Sequence, residues 1–188
     1  MAYAHRLDQG EKQELLRIAR ATLREFLATG QLPPGMPHKR TLLEPAGVFV
    51  SLHAGERLRG CIGTITASMP LYKAIQEMVT AAASRDPRFV PIGPDELSLL
   101  TIEVSVLGPR QPLVDPAELE IGTHGVCVSA GPRRGLLLPK VAVEEGWDGE
   151  TFLRRTCEKA GLPADAWRAP ETLVEIFRAQ VFTDPPPA

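Results

Sequence analysis

The sequence predicts an α+β fold with largely antiparallel sheets, made from two duplicated hairpin–helix–strand units behind an N-terminal helix. Three observations predict it: an amphipathic stretch near the start, a strand pattern that occurs twice, and the same order of elements after each copy. With 188 residues, 44% hydrophobic and 23% charged, the chain suits one ordered domain spanning 1–188 and is not a disordered protein.

The first element is a helix over 11–28. Leu15, Leu16, Ala19, Leu23, Phe26 and Leu27 recur at steps of three and four and make one apolar face, with Glu14, Arg17, Arg24 and Glu25 outside it. Gly30 and Pro33-Pro34 stop the helix, and a proline-broken connector runs to residue 45. The first repeat unit spans 47–107 and the second 125–182. Gly47-Val48-Phe49-Val50-Ser51 is matched 78 residues on (47 to 125) by Gly125-Val126-Cys127-Val128-Ser129. A glycine-containing turn follows each copy, and then an Arg-Gly step, Arg59-Gly60 and Arg134-Gly135. The offset there is 75 (60 to 135), which makes the second hairpin loop three residues shorter.

A helix comes next in each unit. In the first it covers 70–83, with Pro70 suited to the opening position. In the second it covers 149–160, with Asp148 as N-cap and Gly161 as the stop. Each unit closes on a long β-prone segment, Glu96–Leu107 and Glu171–Phe182, aligned at the same offset of 75 (107 to 182). Residues 183–188, TDPPPA, have little to bury and read as a disordered tail.

Composition excludes several functions. The formal net charge of −2 and 5% aromatic content argue against a dedicated nucleic-acid surface. No run approaches the roughly 18 apolar residues of a membrane span, and residues 1–13 lack a signal-peptide core. Cys61, Cys127 and Cys157 cannot all pair, which reads as a reduced, cytoplasmic chain. There is no Gly-rich phosphate loop and no CxxC pair, so neither a bound cofactor nor a metal is expected.

The chemistry concentrates in Leu58-Arg59-Gly60-Cys61-Ile62-Gly63. Cys61 stands where the second unit has Leu136, so a thiol function belongs to the first unit alone. Strand alternation places Arg59, Cys61 and Gly63 on one face, and an arginine so near favours the thiolate. Gly60 and Gly63 leave space for a substrate. Against this stands the ordinary behaviour of free cysteine as a small buried hydrophobe, the reading that also fits Cys127 and Cys157. His124 is a candidate general base. Asp86 and Arg88, in the loop Ser84-Arg-Asp-Pro-Arg-Phe89, are candidates to line a cleft near Cys61. Arg134, at the place equivalent to Arg59, is a candidate anion binder.

The six-residue LRGCIG motif closely resembles the signature of the AMMECR family. The likeness extends from about Gly47 to Phe182, through Asp86-Pro-Arg-Phe89, Gly122-Thr-His-Gly125, Leu137-Leu-Pro139, Gly146-Trp-Asp148 and Cys157-Glu-Lys-Ala-Gly161. Lys140 departs from it, since the family places glutamine there. The resemblance implies two unequal subdomains, a cysteine-dependent role for the motif, and a modification pathway shared with Memo-like and radical S-adenosylmethionine proteins. It implies no particular reaction. Two functional readings therefore stand: an enzyme or enzyme component acting on a small molecule or protein through Cys61 at the floor of a cleft between the halves, and a non-catalytic interaction module in which the motif is structural.

Overall fold

The computed structural model describes residues 6–34 and 37–184. They divide into two compact units. One comprises the described part of Met1–Leu107 with that of Gln180–Ala188, and the other comprises Gly108–Ala179.

In the first unit, α1 (Gln9–Thr29) opens on a capping box. The Asp8 carboxylate accepts the Glu11 N–H at 2.7 Å, and Glu11 returns the favour to the Asp8 N–H at 2.7 Å. Gly30, at φ 75°, ends the helix where only glycine is unstrained. The apolar face buries Leu15, Ala19 and Leu23 as the periodicity predicts. Polar residues of α1 are buried as well. Glu14, expected outside, is buried and accepts the His38 N–H at 2.6 Å. Arg20 is buried on Asp184, at 2.6 Å.

The hairpin follows as β1 (Val48–Ala54) and β2 (Arg57–Thr64), then α2 (Leu71–Ser84) and β3 (Leu100–Leu107). With β8 (Ala179–Asp184) from the end of the chain, the sheet has the order β2-β1-β3-β8, with β1 antiparallel to both its neighbours. Val48, Val50 and Leu52 of β1 and Ile102, Val104 and Val106 of β3 face the helices. There they close one core with Leu71, Ile75 and Val79 of α2 and Leu23 of α1. Side chains of this size contribute roughly 1.5–3 kcal/mol each when fully buried.

The second unit has β4 (Gln111–Pro112), the hairpin β5 (Gly125–Ala130) and β6 (Arg133–Leu137), α3 (Pro139–Glu144), α4 (Gly149–Lys159) and β7 (Leu173–Phe177). Its sheet order is β4-β7-β5-β6. Phe152, Leu153 and Cys157 of α4 pack on Val126, Val128, Val174 and Ile176. Asp148 caps α4 as expected, its side chain accepting the Thr151 N–H, while α3 was not foreseen.

Both units run hairpin, helix, strand, and the residue pairing differs from the sequence alignment. In sheet register, Leu52 and Ile102 flank one another as Val128 and Val174 do. Ser51 sits beside Glu103 as Cys127 sits beside Glu175. The matching segments are thus Val50-Ser-Leu52 with Val126-Cys-Val128, two residues off the G-V-x-V-S alignment, and Ile102-Glu-Val104 with Val174-Glu-Ile176. The slip of two preserves the inward-facing positions, so the apolar pattern does not reveal it.

Glu171–Phe182 is not one strand. It breaks at Arg178 into β7 and β8 (Ala179–Asp184), and β8 joins the first unit's sheet. Glu96–Leu107 likewise starts as a 3-10 turn over Pro94–Leu99. Thr183 and Asp184, assigned to the tail, belong to β8, where the Arg20 pair gives Asp184 its anchor. Residues 185–188 of that tail lie outside the described residues. Among the described residues, no helix is long and apolar enough to cross a membrane.

The equivalent glycines Gly60 and Gly135 let a helix settle on the hairpin. A Cβ on Gly60 would lie 2.0 Å from the Ala82 carbonyl oxygen, and one on Gly135 would lie 2.6 Å from the Ala160 nitrogen. Both obstacles are backbone. Gly60→Ala and Gly135→Ala are each expected to cost about 3 kcal/mol in guanidinium unfolding. A loss well under about 1 kcal/mol would show that the helices do not rest on these positions.

Candidate functional site

One extra residue decides where Cys61 points. The turn pairs Ala54 with Arg57 and His53 with Leu58, but Leu52 then meets Gly60. Arg59 is left over as a β-bulge. Without it, Cys61 would stand opposite the core residue Val50. With it, Cys61 stands opposite Ser51, on the face of the sheet turned away from the helices. The second hairpin pairs regularly from Ala130–Arg133 to Val126–Leu137 and has no such bulge. Both hairpins have two-residue turns, so the expected three-residue shortening is instead this single bulge residue plus the slip in alignment.

β2 is an edge strand, and the Cys61 backbone needs partners there. They come from the loop after α2. Asp86 Oδ2 accepts the Cys61 N–H at 2.8 Å, and Arg88 donates through Nη2 to the Cys61 carbonyl at 3.2 Å. The two side chains also hold one another, Arg88 Nε to Asp86 Oδ1 at 2.9 Å and Nη2 to Oδ2 at 2.7 Å. A carboxylate–guanidinium pair thus stands in for a neighbouring strand. Because the Cys61 backbone groups point outward to this pair, Cys61 and Ser51 form a non-hydrogen-bonded cross-strand pair, the kind whose side chains come closest. The Ser51 hydroxyl donates to the Cys61 sulfur at 3.2 Å.

The Asp86 side chain is only 2% exposed, while that of Arg88 is 57% exposed. Arg88 holds the Asp86 carboxyl down at about 2, helped by the Cys61 N–H and opposed by burial. The Arg88 guanidinium is held above its ordinary value, first by Asp86 and in smaller part by the Cys61 side chain it faces.

Arg59, expected beside the thiol, is committed elsewhere. The bulge interrupts the alternation, and the guanidinium makes a bidentate pair with Glu96, Nε to Oε2 at 2.8 Å and Nη2 to Oε1 at 2.9 Å. That pair raises Arg59 and lowers Glu96 from their ordinary values. The space beside the motif glycines is filled as well. α2 occupies it at Gly60, and the Phe49 ring lies over Gly63, where a Cβ would come within 2.3 Å of ring carbons.

A family model described as AMMECR1 matches residues 16–182. The chain belongs to the AMMECR1 family. It is 45% identical over 190 residues to a protein of Methanopyrus kandleri, covering 96% of this chain and 91% of that one. A protein of Methanothermobacter thermautotrophicus is 44% identical, with 97% and 98% covered. The crystal structure of an uncharacterised Pyrococcus horikoshii protein shares the fold at a TM-score of 0.86 and 41% identity, covering 94% of this chain and 93% of that one.

Within this AMMECR1 chain, the structure brings Cys61, Asp86 and Arg88 together, and adds Ser51. Ser51 carries no signal of its own in the sequence, because the bulge that selects it is invisible to a two-residue periodicity. His124 and Arg134 belong to the second unit. His124 Nδ1 accepts the Glu120 N–H at 3.2 Å, which leaves Nε2 as the ring nitrogen free to meet another group. Arg134 is exposed on β6. Burial pushes the Cys127 and Cys157 thiols up, with Arg110 opposing it at Cys127.

Asp86 links this site to stability. Its carboxyl titrates below the ordinary 3.8, so its contribution is complete above that value and is lost as pH falls from about 4 towards 2. The contribution is about 2 kcal/mol. Denaturant midpoints of the native protein are expected to drop through this window, and the drop in Asp86→Asn should be smaller by that amount. Parallel acid profiles for the two proteins would remove Asp86 from this role.

Proposed function

We propose that this protein is a thiol-dependent enzyme or enzyme component whose reacting atom is the Cys61 sulfur. One observation carries the reading: the Cys61 side chain lies on the outer face of the sheet, outside the core, while its motif neighbours from Arg59 to Gly63 serve packing or pairing. Gly60 admits α2, Gly63 takes the Phe49 ring, Arg59 clamps Glu96, and Ile62 packs on the core. Cys61 is half-buried on the outer face of an edge strand, with a hydroxyl donor at 3.2 Å and the half-exposed Arg88 guanidinium bound to its carbonyl. A thiol on an accessible strand edge, with polar groups beside it, is placed to react with electrophiles.

The shared order of elements supports an internal duplication in which Leu136 holds the place of Cys61, so the chemistry would be peculiar to the first unit. Three free cysteines support a reducing, cytoplasmic setting. The family resemblance supports a modification pathway with Memo-like and radical S-adenosylmethionine proteins. A second reading, an interaction module, is favoured by the number of motif residues that serve packing.

Alkylation by limiting iodoacetamide at neutral pH, mapped by mass spectrometry, separates the two. Cys61 is expected to label well ahead of Cys127 and Cys157. Arg88→Ala should slow it several-fold, whereas Arg59→Ala should leave the rate near native, because the Arg59 charge is spent on Glu96. A Cys61 that stays unlabelled while the buried thiols react would leave the interaction module as the better account.

A further inference from the structure

The second unit contains a hollow of about 150 Å³ whose lining combines hydrogen-bond donors with an apolar wall. It is lined by Pro109, Gln111, His124, Ile176, Phe177 and Arg178, contributed by the segment entering β4, the residue before β5, and the end of β7. Ile176 and Phe177 are buried and provide the wall. Each polar residue there has its backbone or one ring atom fixed while the rest of the side chain is left over. The Arg178 carbonyl accepts the Gly108 N–H at 2.8 Å, which pins the main chain and leaves the exposed guanidinium for solvent or a ligand. Gln111 is set opposite Ile176 by the β4–β7 register. The Glu120 N–H occupies Nδ1 of His124, so the imidazole offers Nε2–H as a donor.

We propose that this hollow binds a small carboxylate bearing a short apolar chain, with the carboxylate on His124 Nε2–H and the Arg178 guanidinium and the chain against Ile176 and Phe177. Three properties choose this class. Two donors of different kinds, one of them a planar guanidinium fork, match a carboxylate. The lining contains no acidic side chain to compete for them. At about 150 Å³ the hollow is smaller than the usual pocket for a large ligand and suits an acid of a few carbons better than a nucleotide. The site is separate from the Cys61 chemistry and does not depend on it.

The test is a titration of the full chain with sodium butyrate, following the backbone amide resonances of Phe177 and Arg178 by NMR. Inorganic phosphate at matched ionic strength is the second ligand. Butyrate is expected to give saturable shifts in the millimolar range. Arg178→Gln and His124→Gln should each weaken binding about tenfold, the scale of one lost charge-assisted hydrogen bond. Arg154→Gln, which removes an exposed arginine outside the hollow, should bind as the native chain does. Any of three results would overturn the proposal: no saturable shift with butyrate, phosphate binding as tightly as butyrate, or equal weakening by Arg154→Gln. Native-like amide spectra of the two site variants before titration show that any loss is one of binding and not of fold.

Discussion

A single inserted residue, Arg59, decides which face of the sheet Cys61 occupies. Side chains on a strand alternate with a period of two, so one extra residue exchanges everything beyond it between core and outer face. Here the exchange leaves Val50, Leu52 and Ile62 on the core and turns Cys61 out to meet Ser51. The bulge is held by the residue that makes it. Arg59 is fixed on Glu96 through two short hydrogen bonds, and Glu96 also accepts the Gly93 N–H. The arginine of the motif is therefore a positioning device. It acts on Cys61 through register and not through charge.

The charge beside the thiol comes from elsewhere in the chain. Asp86 and Arg88 close the edge of β2 at Cys61 by taking its N–H and its carbonyl. Their mutual pairing makes the cap a unit. A carboxylate almost without solvent is tolerable because each of its oxygens has donors, Cys61 and Arg88 on one and Arg88 on the other. The same cap leaves the Arg88 guanidinium largely in water, bound to the Cys61 carbonyl. Edge protection and thiol environment are thus one arrangement, which is why a loop 25 residues downstream belongs to the site.

The sequence carried the fold further than the site. Element order, the three principal helices and the apolar faces followed from periodicity, caps and glycines, because those signals are local. Register did not follow, because a slip of two leaves the inward pattern of Val126 and Val128 unchanged. The better guide was the pair Ile102-Glu-Val104 and Val174-Glu-Ile176, whose central glutamates occupy matching places on the two sheets. Asp86 and Arg88 were legible as candidates. Choosing Arg88 over Arg59 required the bulge, and a bulge is a departure from the regularity on which strand reading depends.

The contrast between the units shows what makes one thiol available. In matching register Ser51 is replaced by Cys127, and Cys61 by Leu136, so each row carries one sulfur, shifted by one strand. Cys127 lies on β5, with β6 on one side and β7 on the other, and it is fully buried with Arg110 at 3.7 Å and Glu175 alongside. Burial pushes that thiol up, towards the neutral form. Cys61 lies on the outermost strand, where one flank is free of sheet and open to a side-chain cap. Moving a cysteine from the middle of a sheet to its edge replaces two strand neighbours with one strand and a guanidinium. Sheet position, more than any property of the residue, separates the fully buried Cys127 from the half-buried Cys61.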